Sequence, residues 1–140
     1  MQKSFKIMGI PLPLARPRFA KGIVYDSQVK DKEERAWDLK MQMGRMPMFE
    51  KPMRMSLEFG MRIPKCSQKK LMELVSSPHS KRPDLSNLIK FVEDVALGVL
   101  YKDDSIVAEI IARKFYTLTP YTLLVLTEIE CQEKHDQSIF

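Results

Sequence analysis

The chain has 140 residues and a formal net charge of +5. That length suits one domain, residues 1–140, able to bury a core without disulfides. Cys66 and Cys131 lie far apart in no metal-binding spacing, which favours a reduced, cytoplasmic setting. No apolar run approaches the roughly 18–20 residues of a membrane span, and no signal-peptide core begins the chain. The basic charge permits a polyanionic partner without requiring one.

The first part of the chain predicts a strand followed by a loop. Residues 4–10 alternate apolar and polar side chains loosely and end at a proline-containing stretch, as an early strand would. In residues 15–26, Pro17 excludes a helix interior and Gly22 marks a turn. Arginine guanidinium groups match phosphate geometry, so this segment is either a phosphate-binding loop or a solvated one. Its candidate phosphate contacts are Arg16 and Arg18.

The middle of the chain predicts a helix, a strand and a short helix. Residues 27–43 form a long charged helix covering a sheet, and residues 53–63 alternate well enough for a half-buried strand. Ser67 is a suitable N-cap for a short helix through residue 75. The helix at residues 27–43 has the apolar points Val29, Trp37, Leu39 and Met41. The candidate phosphate contacts near the short helix are Lys65, Lys69 and Lys70.

An amphipathic helix begins after Asp84 and organises the rest of the chain. Asp84 follows a proline and occupies the N-cap position, where the helix dipole keeps a carboxylate ionised. At about 100° per residue, Asn87 and Asp94 share a flank with Asp84, whereas Lys90 lies further round on the polar side. Gly98 is a stop signal. The apolar stripe consists of Leu85, Leu88, Ile89, Val92, Ala96 and Val99.

The last part of the chain predicts an acidic turn and a hairpin. Asp103 and Asp104 form the turn, and residues 105–116 and 121–130 read as strands that pair with each other in antiparallel fashion. Residues 131–140 are polar and are expected to fray. Together the elements predict an α+β domain, with a mixed or antiparallel sheet of about four strands packed against helices.

The helix and the turn together carry a recognisable motif. The run from Arg82 to Lys90 reads R-P-D-L-S-N-L-I-K, and Asp94, Asp103-Asp104 and Val107 follow it. This pattern resembles the signature of the RusA family of Holliday-junction resolvases, found in bacteria and their phages. The family pattern reads roughly P-D-x-D-N-x-x-K, then D, then D-D-x-x-V. The neighbouring elements also fit the family's order, so the resemblance covers most of the chain.

The resemblance implies a RusA-like fold and a magnesium- or manganese-dependent endonuclease that nicks four-way DNA junctions as a homodimer. It implies Asp84 and Asp104 as metal ligands and Lys90 as the essential lysine, with Asp103 a further candidate ligand. Hard oxygen ligands and a cation are what phosphodiester cleavage requires. The basic lead-in adds the candidate DNA contacts Lys81 and Arg82.

One position departs from the family pattern, because Ser86 stands where the family has a second acid. A hydroxyl is a poorer magnesium ligand than a carboxylate. Three readings follow: a weaker second metal site, compensation by Asp103, or a protein that binds junctions without cutting them. We favour retained activity because the other motif residues remain. A separate possibility is a basic domain that binds no DNA, which salt-insensitive or absent junction binding would support.

Simpler roles exist for each acid taken alone. Asp84 could be an ordinary N-cap and Asp103-Asp104 an ordinary acidic turn. Asp94 lies about 15 Å along the helix from Asp84, too far to share one metal, so it is either a structural acid or a distant, water-mediated partner. His79 and His135 are expected to be solvated. The sequence does not show that residues 84 and 104 meet; the resemblance implies it.

Overall fold

A computed structural model describes residues 1–130, and the predicted fraying of residues 131–140 lies outside them. The strands are β1 Gln2–Met8, β2 Arg18–Ala20, β3 Ile23–Tyr25, β4 Met53–Arg62, β5 Val107–Thr117 and β6 Tyr121–Glu128. The helices are α1 Val29–Met43, α2 Gln68–Leu74 and α3 Leu85–Ala96, with a 3-10 turn at Asp104–Ile106. No helix among the described residues is long and apolar enough to cross a membrane.

The fold is a four-stranded sheet in the order β1-β6-β4-β5, with α1 and α3 packed on one face. The predicted α+β class is therefore confirmed. The alternation of β4 explains its central place, since its odd-numbered residues are all buried toward the helices while the intervening ones are mostly half-buried on the other face. Leu88 and Val92 of α3 and Leu39 of α1 complete the core.

The predicted hairpin of β5 and β6 is wrong, because β4 lies between them. β5 pairs with β4 in parallel and β6 pairs with β4 in antiparallel fashion. The short connection between β5 and β6 therefore crosses the end of β4 at Gly60. A Cβ at Gly60 would lie 2.7 Å from Thr117 Cγ2 and 3.0 Å from the Tyr121 ring. The missing side chain leaves room for the crossing, a feature that strand patterning does not reveal.

Two segments outside the predicted strands form paired structure. Residues 15–26 contain a two-stranded ribbon, β2–β3, in which Phe19 pairs with Val24. Residues 76–79 pair with the outer edge of β5, since Tyr116 N–H donates to the Ser77 carbonyl at 3.0 Å. Both pairings are short, and neither segment alternates over enough residues to predict a strand.

The helix predictions hold in outline and fail in one detail. α2 begins as expected, with Ser67 Oγ accepting a hydrogen bond from Lys70 N–H at 3.2 Å. The expected apolar face of α1 is mostly wrong, because Trp37 and Met41 are 63% and 64% exposed. Leu39 and Met43 carry the contact of α1 with the core, so a narrow stripe anchors this charged helix.

Candidate active site

The loop that leads into α3 is held in place by a lysine from the sheet. Lys114 of β5 donates hydrogen bonds to the Pro83 carbonyl at 2.7 Å and to the Lys81 carbonyl. Asp84 follows at the N-cap position, as predicted, but its side chain makes no capping hydrogen bond. Its carboxylate is exposed. The backbone is therefore fixed while the Asp84 carboxylate is not used to cap the helix.

The segment before the β2–β3 ribbon lies beside Asp84. Leu14 N–H donates to the Asn87 carbonyl at 2.9 Å. Gln28 holds the same segment, since it accepts from Ala15 N–H and donates to the Pro13 carbonyl, both at 2.8 Å. The resulting open groove is lined by Pro13, Leu14, Arg82, Pro83, Asp84 and Asn87.

One flank of α3 runs from Ser86 through Lys90 to Glu93, at the i, i+4, i+7 spacing of a single helix face. Ser86 and Lys90 are exposed, and Glu93 is half-buried. Burial raises the pKa of the Glu93 carboxyl, and the nearby charges of Asp104 and Asp94 raise it further against the opposing effect of Lys90. Asp104 therefore lies close to the C-terminal half of α3.

A buried tyrosine lies against the same acids. Tyr101 is 0% exposed. Burial raises the pKa of its hydroxyl, and the charges of Asp104 and Glu93 add to the effect. A hydrogen bond with Asp104 also contributes to the raised pKa, although within residues 1–130 no hydrogen bond of normal geometry reaches the Tyr101 hydroxyl. The end of α3 thus combines repelling carboxylates with a poorly hydrogen-bonded buried hydroxyl.

The two acids of the exit turn differ. Asp103 Oδ1 accepts a hydrogen bond from Ser105 N–H at 2.9 Å, and this backbone bond lowers the pKa of Asp103. Asp103 therefore caps the 3-10 turn. Asp104 is exposed and begins that turn. Its charge acts on Glu93 of α3, so Asp104 is the stronger candidate ligand of the two.

Asp94 is tied across to α1. Lys32 Nζ lies 3.3 Å from Asp94 and 2.7 Å from Asp26. Burial tends to lower the pKa of Lys32, but the hydrogen bonds to both carboxylates outweigh it and raise that pKa. Lys32 therefore links α3, α1 and the end of the β2–β3 ribbon, consistent with a structural role for Asp94.

Asp84, Glu93 and Asp104 carry the type of ligand atom that a hard cation prefers, but they do not form a single metal-binding cluster. Carboxylate oxygens are ligands that magnesium accepts. Within the described residues, however, no group of three or more His, Cys, Asp or Glu side chains could hold a metal ion. Asp84 and Glu93 are nine residues apart on one helix, about 13.5 Å.

A comparison with protein-family models matches residues 9–127 to the family described as endodeoxyribonuclease RusA. The chain belongs to the RusA family. Proteins of this family are endodeoxyribonucleases that depend on a divalent metal and act on branched DNA. A comparison with curated proteins found no match to this chain.

The basic residues predicted for DNA contact all lie at the surface of this RusA-family chain. Each is exposed, and within residues 1–130 none takes part in an ion pair. They are Arg16 and Arg18 by the ribbon, Lys65, Lys69 and Lys70 at α2, and Lys81 and Arg82 before α3.

His79 is not solvated as expected. It is half-buried, with its ring 4.7 Å from that of Tyr116. Burial lowers the pKa of the His79 imidazole, and the Lys114 charge lowers it further. His135 lies outside the described residues.

Sequence reasoning missed the residues that shape this RusA-family site through contacts distant in sequence. Lys114 and Tyr101 carried no motif signal, since a lysine in a strand and a tyrosine before an acidic turn are common. Glu93 could have been found, because it follows Lys90 by one helical turn and Ser86 by two. It is the next carboxylate along the flank of α3 that carries Ser86 and Lys90.

Proposed function

We propose that this chain is a Holliday-junction resolvase that introduces symmetric nicks into four-way DNA junctions with magnesium or manganese. The observation that supports this most directly is the arrangement of α3. One helix begins at an exposed acid, Asp84, carries Lys90 on its exposed side and ends beside Asp104. The family match over residues 9–127 supplies the class of reaction.

In this proposal Asp84 and Asp104 hold the metal, with Asp103 as a further ligand. When bound, the cation supplies charge neutralisation at the phosphate and activation of a water molecule. Lys90 stabilises the negative charge that develops on the phosphate or on the leaving oxygen. Within residues 1–130 Asp84 and Asp104 are not assembled with a third acid, so this proposal requires their carboxylates to come together when the metal and the DNA bind.

We further propose that Glu93 takes over the charge lost at Ser86. Both residues lie on one flank of α3 with Lys90 between them. Glu93 is half-buried beside Asp104, so its carboxylate restores negative charge near the metal ligand. This reading supports retained activity over its loss.

The DNA is held by the seven exposed basic residues, which contact phosphates rather than bases. The groove beside Asp84 is lined by Leu14 and Arg82 among other residues, so a DNA strand that follows the groove passes Asp84. Recognition of backbone and branch shape suits a junction-specific enzyme.

A cleavage assay on a synthetic four-way junction in magnesium tests the proposal. Native protein is compared with Asp104→Asn, and binding is measured separately in calcium-containing buffer. We expect native protein to nick the junction symmetrically and Asp104→Asn to bind without cutting. Cleavage unchanged in Asp104→Asn refutes the assignment of that ligand.

The second candidate is a junction-binding protein without catalysis. Two observations favour it: Ser86 at the position of a family acid, and the lack of a gathered group of three metal-binding side chains within residues 1–130. A Ser86→Asp variant separates the two proposals. If native protein binds junctions without cutting and Ser86→Asp cuts, the binding function is correct.

A further inference from the structure

The β2–β3 ribbon carries apolar side chains that no other described part of the chain covers. Every residue of its two strands is exposed. Phe19 of β2 lies opposite Val24 of β3, so their side chains share one face of the ribbon. They are 72% and 63% exposed. Adjoining apolar side chains that remain in water mark a surface at which a partner binds.

The ribbon has a defined shape because its turn is tight. Lys21 and Gly22 join the two strands, and both have a positive φ, 51° and 78°. Positive φ at both central residues belongs to the two-residue hairpin turn whose twist matches that of the paired strands. The turn therefore keeps Phe19 and Val24 together on one face and places the charge of Lys21 at the tip.

The base of the ribbon is attached to α3 on both sides. Before β2, Leu14 N–H donates to the Asn87 carbonyl at 2.9 Å. After β3, Lys32 Nζ lies 2.7 Å from Asp26 and 3.3 Å from Asp94 of α3. These contacts fix the base of the ribbon next to the groove that also holds the Asp84 carboxylate.

The same segment is basic. Residues 14–25 contain three basic side chains and no acidic one. The three are exposed, and within residues 1–130 none of them takes part in an ion pair. The ribbon therefore suits a polyanion, and its apolar face suits an uncharged part of that polyanion. The basic side chains are those of Arg16, Arg18 and Lys21.

Nucleic-acid bases supply such an uncharged surface. Apolar side chains, phenylalanine among them, insert between base steps and partly unstack them, and an aromatic ring that stacks on a base adds to the affinity. In a continuous duplex the insertion has to open the stack. At a branch point the stack is already interrupted where strands change partners, so the faces of the bases are reached at a lower cost in free energy.

We propose that Phe19, backed by Val24, packs against the bases at the branch point of a DNA junction. The basic side chains of the ribbon contact the surrounding phosphates. This inference rests on the proposed function, because it takes branched DNA as the substrate. Phosphate contacts do not distinguish one base sequence from another, and both linear and branched DNA offer them. Phe19 therefore determines the preference for a junction and takes no part in the cleavage step.

The attachment of the ribbon gives this contact a consequence for cleavage. Because the base of the ribbon is fixed to α3, a branch point held by Phe19 has a set position relative to Asp84. A phosphate near the branch point is then presented to the groove, whereas linear DNA bound through its phosphates alone is not positioned in this way.

Binding to a synthetic four-way junction and to a linear duplex of the same length, in calcium-containing buffer, tests the proposal. Phe19→Ala should weaken junction binding about tenfold or more, because stacking on a base is lost, and should leave duplex binding unchanged. Arg18→Ala should weaken both about equally. Leu118→Ala removes an exposed apolar side chain between β5 and β6 and should change neither.

A fluorescent base analogue locates the contact. 2-Aminopurine is placed either at the branch point or in the middle of one arm. We expect native protein to change its fluorescence at the branch point and not in the arm. Phe19→Ala should abolish the change and Phe19→Trp should keep it. Thermal melting should show both variants as stable as native protein, since the side chain lies outside the core.

The opposite results overturn the proposal. They are an equal loss of junction and duplex binding in Phe19→Ala, a fluorescence change that survives in Phe19→Ala, or a change only in its sedimentation, which would mean that a second copy covers this face. Native protein that binds junctions through Phe19 without cutting them supports the inference and refutes the nuclease function. Native protein that cuts junctions while Phe19→Ala keeps full junction preference refutes the inference alone.

Discussion

The two ends of α3 hold acids in different physical settings. At the beginning, Asp84 is exposed and its loop is anchored by Lys114 through backbone carbonyls. At the end, Glu93 is half-buried among other carboxylates, beside a tyrosine hydroxyl without a hydrogen-bond partner among the described residues. Hydrogen bonds to backbone carbonyls fix the first end, whereas the carboxylates at the second end repel one another. A bound cation has more repulsion to relieve at the second end, so substitutions at the two ends should affect the stability of the metal-free protein differently.

The largest expected effect comes from removing the charge at either end. Asp84→Asn and Asp104→Asn should each reduce junction cleavage by about a thousandfold, and the double variant should lose little more, because residues that act as one unit are not additive. Single-turnover cleavage rates measure this. Losses that multiply in the double variant would show that the two ends act separately.

Glu93→Gln should reduce cleavage by about 10–100-fold, the usual cost of altering groups around metal ligands. Asp94→Asn is the matched control, since Asp94 is already paired with Lys32, and should cost less. The metal concentration for half-maximal cleavage should rise in Glu93→Gln. Equal effects of the two variants would remove the special role assigned to Glu93.

Lys114→Met should lower the free energy of unfolding by about 2 kcal/mol, because two carbonyls lose a charged donor. Chemical denaturation measures this loss. Lys102→Met, at an exposed position, serves as the control and should change stability little. If Lys114→Met and Lys102→Met have the same free energy of unfolding, the hydrogen bonds from Lys114 do not stabilise the protein.

The stability of the second end should depend on pH. The native state holds the Glu93 proton above the ordinary pKa of 4.5, so stability falls as pH rises from that value through the raised pKa. Glu93→Gln escapes this loss. Its melting temperature should exceed that of native protein at neutral pH, and the difference should vanish below pH 4.5.

The smallest effect is expected at Tyr101. Tyr101→Phe removes a buried hydroxyl that has no hydrogen-bond partner within residues 1–130, so stability should stay equal or rise by up to about 1 kcal/mol. Thermal melting measures the change. A clear loss of stability would mean that the hydroxyl is bonded, with Asp104 as the nearest acceptor.

The sequence predicted what depends on local periodicity. The amphipathic stripe of α3, the alternation of β4 and the Ser67 cap each determine structure within a few residues, so the pattern sufficed. The strand order could not be predicted, because the connection from β5 to β6 crosses the end of β4. This crossing needs the space left at Gly60, a residue far from both strands in sequence. The exposure of Trp37 likewise depends on how α1 lies across the sheet.

For the candidate site, too, local sequence patterns were predictable and contacts between distant residues were not. A motif at fixed spacing indicated Asp84, Lys90 and Asp104, although their joint role remains a prediction. Lys114 and Tyr101 could not be anticipated, since their contacts join elements separated by many residues. Helical spacing alone could have placed Glu93 on the same flank as Ser86 and Lys90. Its half-buried position beside Asp104 depends on the tertiary structure and could not be predicted.

The pairing of β1 with β6 has a consequence for how the protein is made. Gln2 lies opposite Thr127 in the sheet, so β1 can pair with β6 only after the elements between them have been made. Phe5 and Ile7 lack that neighbour until then. Contacts of such long sequence separation slow folding, so we expect the pairing of β1 with β6 to be a late step in folding.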